Sequence, residues 1–208
     1  MKFVLFCEGH TERKALPAFL KRWLDPRLSQ PPGMQAVRFD GWAELLKDAP
    51  RKARLYLHGP GCEQVLGVIG LVDLHGPTVY PGGLDTAADR EQWLREHVEK
   101  QVDEPKFRMF CAVHEIEAWL LSQPELLPGA VAQALPGGAA KPEAIDFDTP
   151  PSHLLDRLYR EKTGRGYKKV VYGADLFSKL DPEAARAKCP FFAQLLDELL
   201  AMAQAAGL

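Results

Sequence analysis

Carboxylate side chains follow three separate apolar segments of the chain, each at the point where the segment ends. In chain order, the segments and their acids are 2–7 with Glu8 and Glu12, 66–72 with Asp73, and 107–113 with Glu115 and Glu117. If the segments are parallel strands, these acids meet, because the carboxyl ends of such strands lie along one edge of a sheet. Carboxylates held together repel one another and need a compensating cation. The sequence therefore predicts a site for a hard divalent metal ion, Mg²⁺ or Mn²⁺.

Each acid also has a simpler structural explanation, and the sequence leaves both open. Glu12, Glu115 and Glu117 fall where a helix is predicted to start, and a carboxylate in a first helical turn complements the helix dipole. Asp73 could instead cap the turn that follows it. His75, two residues further on, is a metal ligand, a proton relay or an ordinary loop residue.

Two basic segments are candidates for contact with phosphate groups. Arg51, Lys52 and Arg54 form the most basic stretch of the first half, and Lys168 and Lys169 end a glycine-punctuated segment that also carries a tyrosine. A lysine there could neutralise charge on a phosphodiester during cleavage, or both segments could be solvated surface. The formal net charge of −2 excludes a basic signature of the whole molecule, so nucleic acid would need a local patch.

The predicted elements of the first half alternate between strand and helix. A helix over 12–24, capped by Thr11, follows the first strand, and a short strand over 34–39 comes next. A second helix starts at Trp42, and a third covers 85–102. This alternation predicts an α/β fold with a parallel sheet, which is the arrangement that brings the acids together.

The second half is predicted to be helical. The predicted helices cover 115–121, 152–162, 173–180, 182–188 and 190–205, and residues 128–151, rich in Pro, Gly and Ala, are predicted to be a surface connection. We therefore expect a parallel sheet flanked by helices over residues 1–127, with a helical C-terminal extension over 128–208 packed on it as a single compact unit.

Composition limits the class of protein. The 208 residues are 46% apolar and 26% charged, which is ordinary for a globular protein. The four cysteines form no CxxC pair, and two of them lie inside apolar segments, as expected for buried residues in a reducing compartment. The apolar segments are too short for a membrane span, and the first is too short for a secretion signal. We expect a cytoplasmic protein that makes no membrane contact.

Several segments resemble a known family. The turn Glu8-Gly9-His10-Thr11-Glu12 resembles the glutamate–glycine turn that opens Toprim domains, the fold of primases, topoisomerases and the nuclease half of the overcoming-lysogenization-defect proteins. More closely, the whole chain resembles the bacterial family called domain of unknown function 4276. The segments that carry this resemblance are, in order, 73–77, 81–82, 114–118, 142–145, 149–152, 167–169 and 189–192.

The resemblance implies a Toprim-like fold and metal-dependent phosphodiester chemistry, in which Glu8 and Asp73 hold magnesium. Toprim domains carry an Asp-x-Asp pair, and His75 stands here in place of the second aspartate. Imidazole suits manganese or zinc better than magnesium, and Glu115 or Glu117 could complete the oxygen ligands instead.

Further roles follow from the same resemblance. Glu12 would be an added ligand or a base, and Lys168 or Lys169 would stabilise negative charge during cleavage of DNA or RNA. The resemblance also implies an SMC-like ATPase partner and a part in defence against phage. The alternative is a non-catalytic Toprim-like module that binds nucleic acid, a nucleotide or an ATPase, and His75 in place of an aspartate favours it.

Overall fold

The apolar segments of the first half form the central sheet. The structure, a computed structural model, describes residues 1–144 and 149–208. Within them the sheet has four parallel strands in the order β2-β1-β3-β4. The strands are β1 (Lys2–Cys7), β2 (Gly33–Arg38), β3 (Val65–Asp73) and β4 (Phe107–Ala112). β3 is buried at every residue except Asp73, as expected for a parallel strand covered on both faces.

Helices cover both faces of the sheet. Phe3 and Leu5 of β1 belong to one apolar cluster with α1 (His10–Leu24), whereas Val4 and Phe6 belong to another with α2 (Trp42–His58) and α3 (Ala87–Val102). This division reflects the alternation of side chains along a strand. The chain leaves β1 towards β2 on one side and returns to β3 on the other. The gap between β1 and β3 is therefore the topological switch point of the sheet, where ligands of open α/β folds bind.

The second half is helical, as predicted, and packs on the α1 face. Trp119 is fully buried, and its ring lies 6.2 Å from that of Phe19 in α1 and 4.3 Å from that of Phe192. The helices are α4 (Glu117–Leu120), α5 (Gly129–Ala132), α6 (Pro151–Thr163), α7 (Ala174–Lys179), α8 (Pro182–Lys188) and α9 (Pro190–Ala205), with a π-helical turn over Lys169–Gly173. The division at residue 127 stays a prediction, since residues on both sides of it contribute to one apolar cluster.

The predicted fold class is confirmed, with local corrections. The cap predicted at Thr11 is wrong, because α1 already begins at His10 with Gly9 as its N-cap, and Thr11 is buried inside the helix. The helix predicted over 115–121 is a single turn that starts at Glu117. Within the predicted surface connection 128–151, Val131 and Glu143 are buried, and residues 145–148 lie outside the described part of the chain.

Two further properties bear on function. In the part of the chain that the structure describes, no helix has both the length and the hydropathy that crossing a bilayer requires. All four cysteines are free thiols, and Cys7, Cys111 and Cys189 are buried. Burial raises the pKa of the Cys7 thiol to about 12, so that this residue behaves as a small apolar side chain rather than a nucleophile.

Candidate acidic site at the carboxyl edge of the sheet

The structure brings Glu8 and Asp73 into contact at the switch point. Glu8 follows β1 directly and Asp73 ends β3, its neighbour in the sheet. The main-chain N–H of Asp73 donates a hydrogen bond of 2.6 Å to Oε1 of Glu8. Oδ1 of Asp73 accepts a hydrogen bond of 3.2 Å from the main-chain N–H of Ile116, just before α4. Three segments far apart in sequence are therefore joined at one edge of the sheet.

Glu12 approaches from the first turn of α1. Its side chain is buried, and in the described structure its Oε2 has no hydrogen-bond partner. A Cβ atom at Gly9 would overlap this carboxylate, so that a larger residue there would displace the Glu12 side chain from the turn. A helix-dipole role alone does not explain a buried carboxylate oxygen without a partner, and the role of Glu12 in the site stays a prediction.

Glu117 and Lys169 form an ion pair inside the site. Glu117 is fully buried, and its Oε2 lies 2.9 Å from Nζ of Lys169. The same ammonium lies 3.5 Å from Oδ2 of Asp73. Among the described residues, Oε1 of Glu117 has no hydrogen-bond partner. Lys169 thus supplies positive charge to two carboxylates at once, from the first residue of the π-helical turn.

Glu115 borders the site and also caps a helix. Its Oε2 accepts a hydrogen bond of 2.9 Å from the main-chain N–H of Ser152, in the first turn of α6. A carboxylate at this position satisfies a free helical amide and complements the helix dipole. Its charge also acts on Asp73, Glu117 and Lys169. We define the acidic site as Glu8, Glu12, Asp73, Glu115, Glu117 and Lys169.

The site has more acids than its single lysine can compensate. Burial, together with the charge of Asp73, raises the pKa of Glu8 to about 8. Burial also raises the pKa of Asp73 to about 7 and that of Glu117 to about 8, although Lys169 opposes both shifts. Burial disfavours the charged form of Lys169, but the attraction of Asp73 and Glu117 outweighs it and raises the pKa of the lysine. The site therefore holds protons near neutral pH or accepts a further cation.

Tyr167 borders the acidic site, and no role was predicted for it from the sequence. Its hydroxyl is buried, has no hydrogen-bond partner in residues 1–144 and 149–208, and lies 3.1 Å from the position of a Cβ atom on Gly173. Burial and the charge of Glu117 raise the pKa of Tyr167. The sequence feature that pointed to Tyr167 was its position directly before the two lysines of the basic segment.

Two of the predicted site residues, Lys168 and His75, have exposed side chains. The side chain of Lys168 is exposed, and it is the next residue, Lys169, that contacts the carboxylates. Of the two lysines predicted to stabilise charge during cleavage, Lys169 is thus the one placed beside the carboxylates, and the catalytic role of Lys168 stays a prediction. His75 has an exposed side chain in the turn after β3, and its main-chain N–H donates to the carbonyl of His114 at 3.0 Å. The role of His75 as a metal ligand stays a prediction.

The first predicted basic patch is made of side chains with partners inside the protein. Arg54 donates hydrogen bonds to the carbonyls of Gln101 and Val102 at the end of α3. Nζ of Lys52 lies 4.1 Å from the centre of the Phe39 ring. Arg51 lies 3.9 Å from Asp48, one helical turn earlier. The role of Arg51, Lys52 and Arg54 in binding nucleic acid stays a prediction, and these contacts do not involve the acidic site.

The donor chemistry of the site fits a hard divalent cation. Carboxylate oxygens are the ligands that Mg²⁺ and Mn²⁺ prefer, and Glu12 and Glu117 each have a buried oxygen without a hydrogen bond. No group of three or more His, Cys, Asp or Glu side chains in the described ranges is already arranged around one metal position. The oxygens are present, and the lysine occupies the position of a counter-ion between Asp73 and Glu117.

Family comparison agrees with the resemblance seen in the sequence. Residues 7–200 match the model of the family described as Domain of unknown function (DUF4276). The chain therefore belongs to this family. No curated protein matches the chain.

Solved structures of OLD proteins are similar in backbone arrangement. The C-terminal region of the Burkholderia pseudomallei OLD protein aligns with a TM-score of 0.47 and 19% identity, covering 98% of this chain and 97% of the other. A structure of the C-terminal region of the Xanthomonas campestris pv. campestris OLD protein aligns with a TM-score of 0.46 and 18% identity, covering 100% and 97%. Similarity at this level leaves function to be decided from the residues of this chain.

Proposed function

We propose that the protein is a divalent-metal-dependent enzyme that cleaves phosphodiester bonds of DNA or RNA. The observation that carries the proposal is the contact between Glu8 and Asp73 at the switch point of a parallel sheet. It lies in a largely buried site whose carboxylates outnumber the one lysine, and the pKa values of Glu8, Asp73 and Glu117 are raised. Such perturbed acids in the crevice of an α/β sheet are typical of functional sites.

The acids have different roles in this proposal. Glu8 and Asp73 would hold Mg²⁺ or Mn²⁺, since they are adjacent and come from the two central strands. Glu12 and Glu117 each offer a buried oxygen that forms no hydrogen bond within the described structure, and they would complete the oxygen ligands. Glu115 is already engaged at the start of α6 and would act as a more distant negative charge.

A bound divalent cation would activate a water molecule and stabilise the oxygen that leaves. Lys169 contributes a second positive charge beside Asp73 and Glu117, and it would attract the substrate phosphate into a site that otherwise repels anions. Nucleic acid is the proposed substrate. The family resemblance also supports an SMC-like ATPase partner and a role as the effector of a phage-defence system.

A non-catalytic module is the second candidate, and a specific observation favours it. The ammonium of Lys169 already compensates Asp73 and Glu117, and no ready-made group of three metal ligands occurs in the described part of the chain. In that case the site would stabilise the fold, and the protein would bind nucleic acid, a nucleotide or an ATPase without cutting.

The two candidates are separated by a cleavage assay on labelled single- and double-stranded DNA and RNA, with Mg²⁺, Mn²⁺ or EDTA. Glu8→Gln and Asp73→Asn should each abolish metal-dependent cleavage and leave the circular dichroism spectrum unchanged. Glu63→Gln is the matched control, because Glu63 is an exposed acid at the opposite end of β3. Undiminished cleavage by both site variants would reject the assignment, whereas wild-type protein that binds every substrate uncut would favour the module.

A further inference from the structure

We propose that a pocket beside the acidic site binds a nucleobase and gives the enzyme a preference for single-stranded nucleic acid. The pocket has a volume of about 320 Å³ and lies between α6, α7 and the segment before α5. The residues that matter for the proposal are Leu127, Pro128, Tyr159, Tyr172, Asp175 and Leu176. This inference rests on the proposed function in one respect, because it takes the acidic site to be the place where the phosphodiester is cleaved.

The walls of the pocket match the chemistry of a base. Two tyrosine rings and aliphatic side chains provide flat apolar surface, on which every base can stack because every base has a π-face. Asp175 is exposed at the rim of the pocket; Lys179 lies 2.7 Å from its Oδ2, which leaves Oδ1 as the acceptor for an exocyclic amino group. A few polar groups in a mostly apolar concavity are the usual composition of a small-ligand site.

Two buried tyrosine rings pack next to the ring of Tyr172 and hold it in one orientation. Its ring centre lies 5.8 Å from that of Tyr159 and 6.3 Å from that of Tyr167, with interplanar angles of 29° and 28°. Tyr159 and Tyr167 are buried, whereas Tyr172 is only half-buried. The accessible ring is therefore fixed in orientation before any ligand binds, which lowers the entropic cost of stacking.

The pocket and the acidic site share one turn of the backbone. Lys169 begins the π-helical turn Lys169–Gly173 and contacts Asp73 and Glu117, while Tyr172 lies three residues further along the same turn. The main-chain N–H of Tyr172 donates to the carbonyl of Lys168 at 2.8 Å, which closes the turn. A base on Tyr172 and a phosphate at Lys169 would thus be held by neighbouring parts of one rigid element.

The surface around this turn carries the charge that a phosphate backbone requires. Residues 153–168 contain five exposed basic side chains, namely Arg157, Arg160, Lys162, Arg165 and Lys168, against two acids, Asp156 and Glu161. Arg160 pairs with Asp156 at 2.8 Å, which leaves the other four basic side chains to face a phosphate backbone. The loop after α6 lies against the helix, since a Cβ atom on Gly166 would be 3.2 Å from Nη2 of Arg160. Stacking aromatics beside a basic surface are the combination found in proteins that bind single strands.

Strand preference follows from the geometry of nucleic acid. In a duplex each base is paired and stacked, so that it reaches a protein pocket only after unpairing, at a cost of a few kcal/mol. A single strand presents its bases freely. The pocket therefore selects single-stranded DNA or RNA, and double-stranded substrates bind through their phosphates alone.

Fluorescence anisotropy with labelled single-stranded oligonucleotides and matched duplexes, in EDTA to prevent cleavage, tests the proposal. Tyr172→Leu keeps apolar volume but removes the ring, and it should weaken single-strand binding about tenfold, as expected for one stacked base. Tyr172→Phe should bind within about twofold of wild type. Tyr56→Leu is the matched control, since Tyr56 is a half-buried tyrosine that lines a separate pocket on α2.

Equal single-strand affinity of wild type and Tyr172→Leu would overturn the proposal, as would an equal loss on duplexes or no binding of single strands by wild type. A cleavage assay with Mn²⁺ separates this outcome from the fate of the proposed function. Binding that depends on Tyr172 without any cleavage would sustain the pocket and reject the nuclease. Metal-dependent cleavage, with single-strand binding that is indifferent to Tyr172, would do the reverse.

Discussion

Two buried glutamates of this protein, Glu143 and Glu117, differ in how far the surrounding protein satisfies their carboxylate oxygens. Both are almost inaccessible, and burial raises the pKa of Glu143 to about 7 and that of Glu117 to about 8. Glu143 accepts hydrogen bonds from the main-chain N–H groups of Phe191 and Phe192, at 2.8 and 3.2 Å, at the start of α9. Glu117 has Lys169 at 2.9 Å from one oxygen, and its other oxygen forms no hydrogen bond in the described structure.

The comparison shows that a raised pKa does not by itself identify a functional site. Burial produces it in both places. The two glutamates differ in whether the surrounding protein satisfies the carboxylate oxygens, and an unsatisfied buried oxygen has a free-energy cost that folding alone does not explain. We therefore expect Glu143 to serve stability and Glu117 to serve a ligand.

The largest expected effect is on activity. Glu117→Gln should reduce metal-dependent cleavage by about 100-fold, the scale on which an electrostatic group in an active site acts, because the variant loses a charged oxygen ligand. Glu143→Gln should leave cleavage within about twofold of wild type, since its amide oxygen can still accept a hydrogen bond. The measurement is the single-turnover rate with Mn²⁺. Equal losses in the two variants would remove the distinction.

The pH dependence of stability should come next in size. Glu8, Asp73 and Glu117 have folded-state pKa values of about 7 to 8 against unfolded values of 3.8 to 4.5, so that the folded protein retains protons that the unfolded chain releases. Their stabilising contribution is complete below about pH 4 and is lost as the pH rises through 8. Without metal, the free energy of unfolding should therefore fall by about 2 kcal/mol or more between pH 5 and pH 8.5.

Divalent metal should reverse this loss, because a cation replaces the released protons. Denaturant titrations with and without Mn²⁺ should show a larger stabilisation at pH 8 than at pH 6. Glu117→Gln should weaken the response to Mn²⁺, and Glu143→Gln should not change it. A stabilisation by Mn²⁺ that is the same in all three proteins would show that the ion binds elsewhere.

The smallest expected effect is structural and concerns Glu143. Glu143→Ala leaves two main-chain amides at the start of α9 without their partner, which should cost about 1–2 kcal/mol of unfolding free energy, as for the loss of a helix cap. Glu143→Gln should retain most of the unfolding free energy that Glu143→Ala loses. Urea titration at pH 6 provides the measurement, and a neutral Glu143→Ala variant would contradict the structural role.

The meeting of Glu8 and Asp73 could be predicted from the sequence, because it needs only strands that end in acids and a sheet whose strands are parallel. The choice between Lys168 and Lys169 could not. It depends on the π-helical turn that begins at Lys169, and a change of one residue in such a turn exchanges an exposed side chain for one inside the site.

Other contacts of the predicted site residues could not be predicted, because they depend on approaches between distant segments. Glu115 caps α6 only because Ser152 is brought next to it by the packing of the second half. Arg54 donates hydrogen bonds to the main-chain carbonyls of Gln101 and Val102 at the end of α3. In both cases a charged side chain bonds main-chain groups of a segment distant in sequence, and no local sequence pattern predicts such a contact.

The central claim is that acids from separate strand ends share one divalent ion. Anomalous diffraction from crystals soaked with Mn²⁺ tests it most directly. We predict a peak between the carboxylates of Glu8 and Asp73, within ligand distance of both and with Lys169 shifted away from Asp73. A site without a peak at saturating Mn²⁺, with Lys169 still in contact with Asp73 and Glu117, would contradict the account.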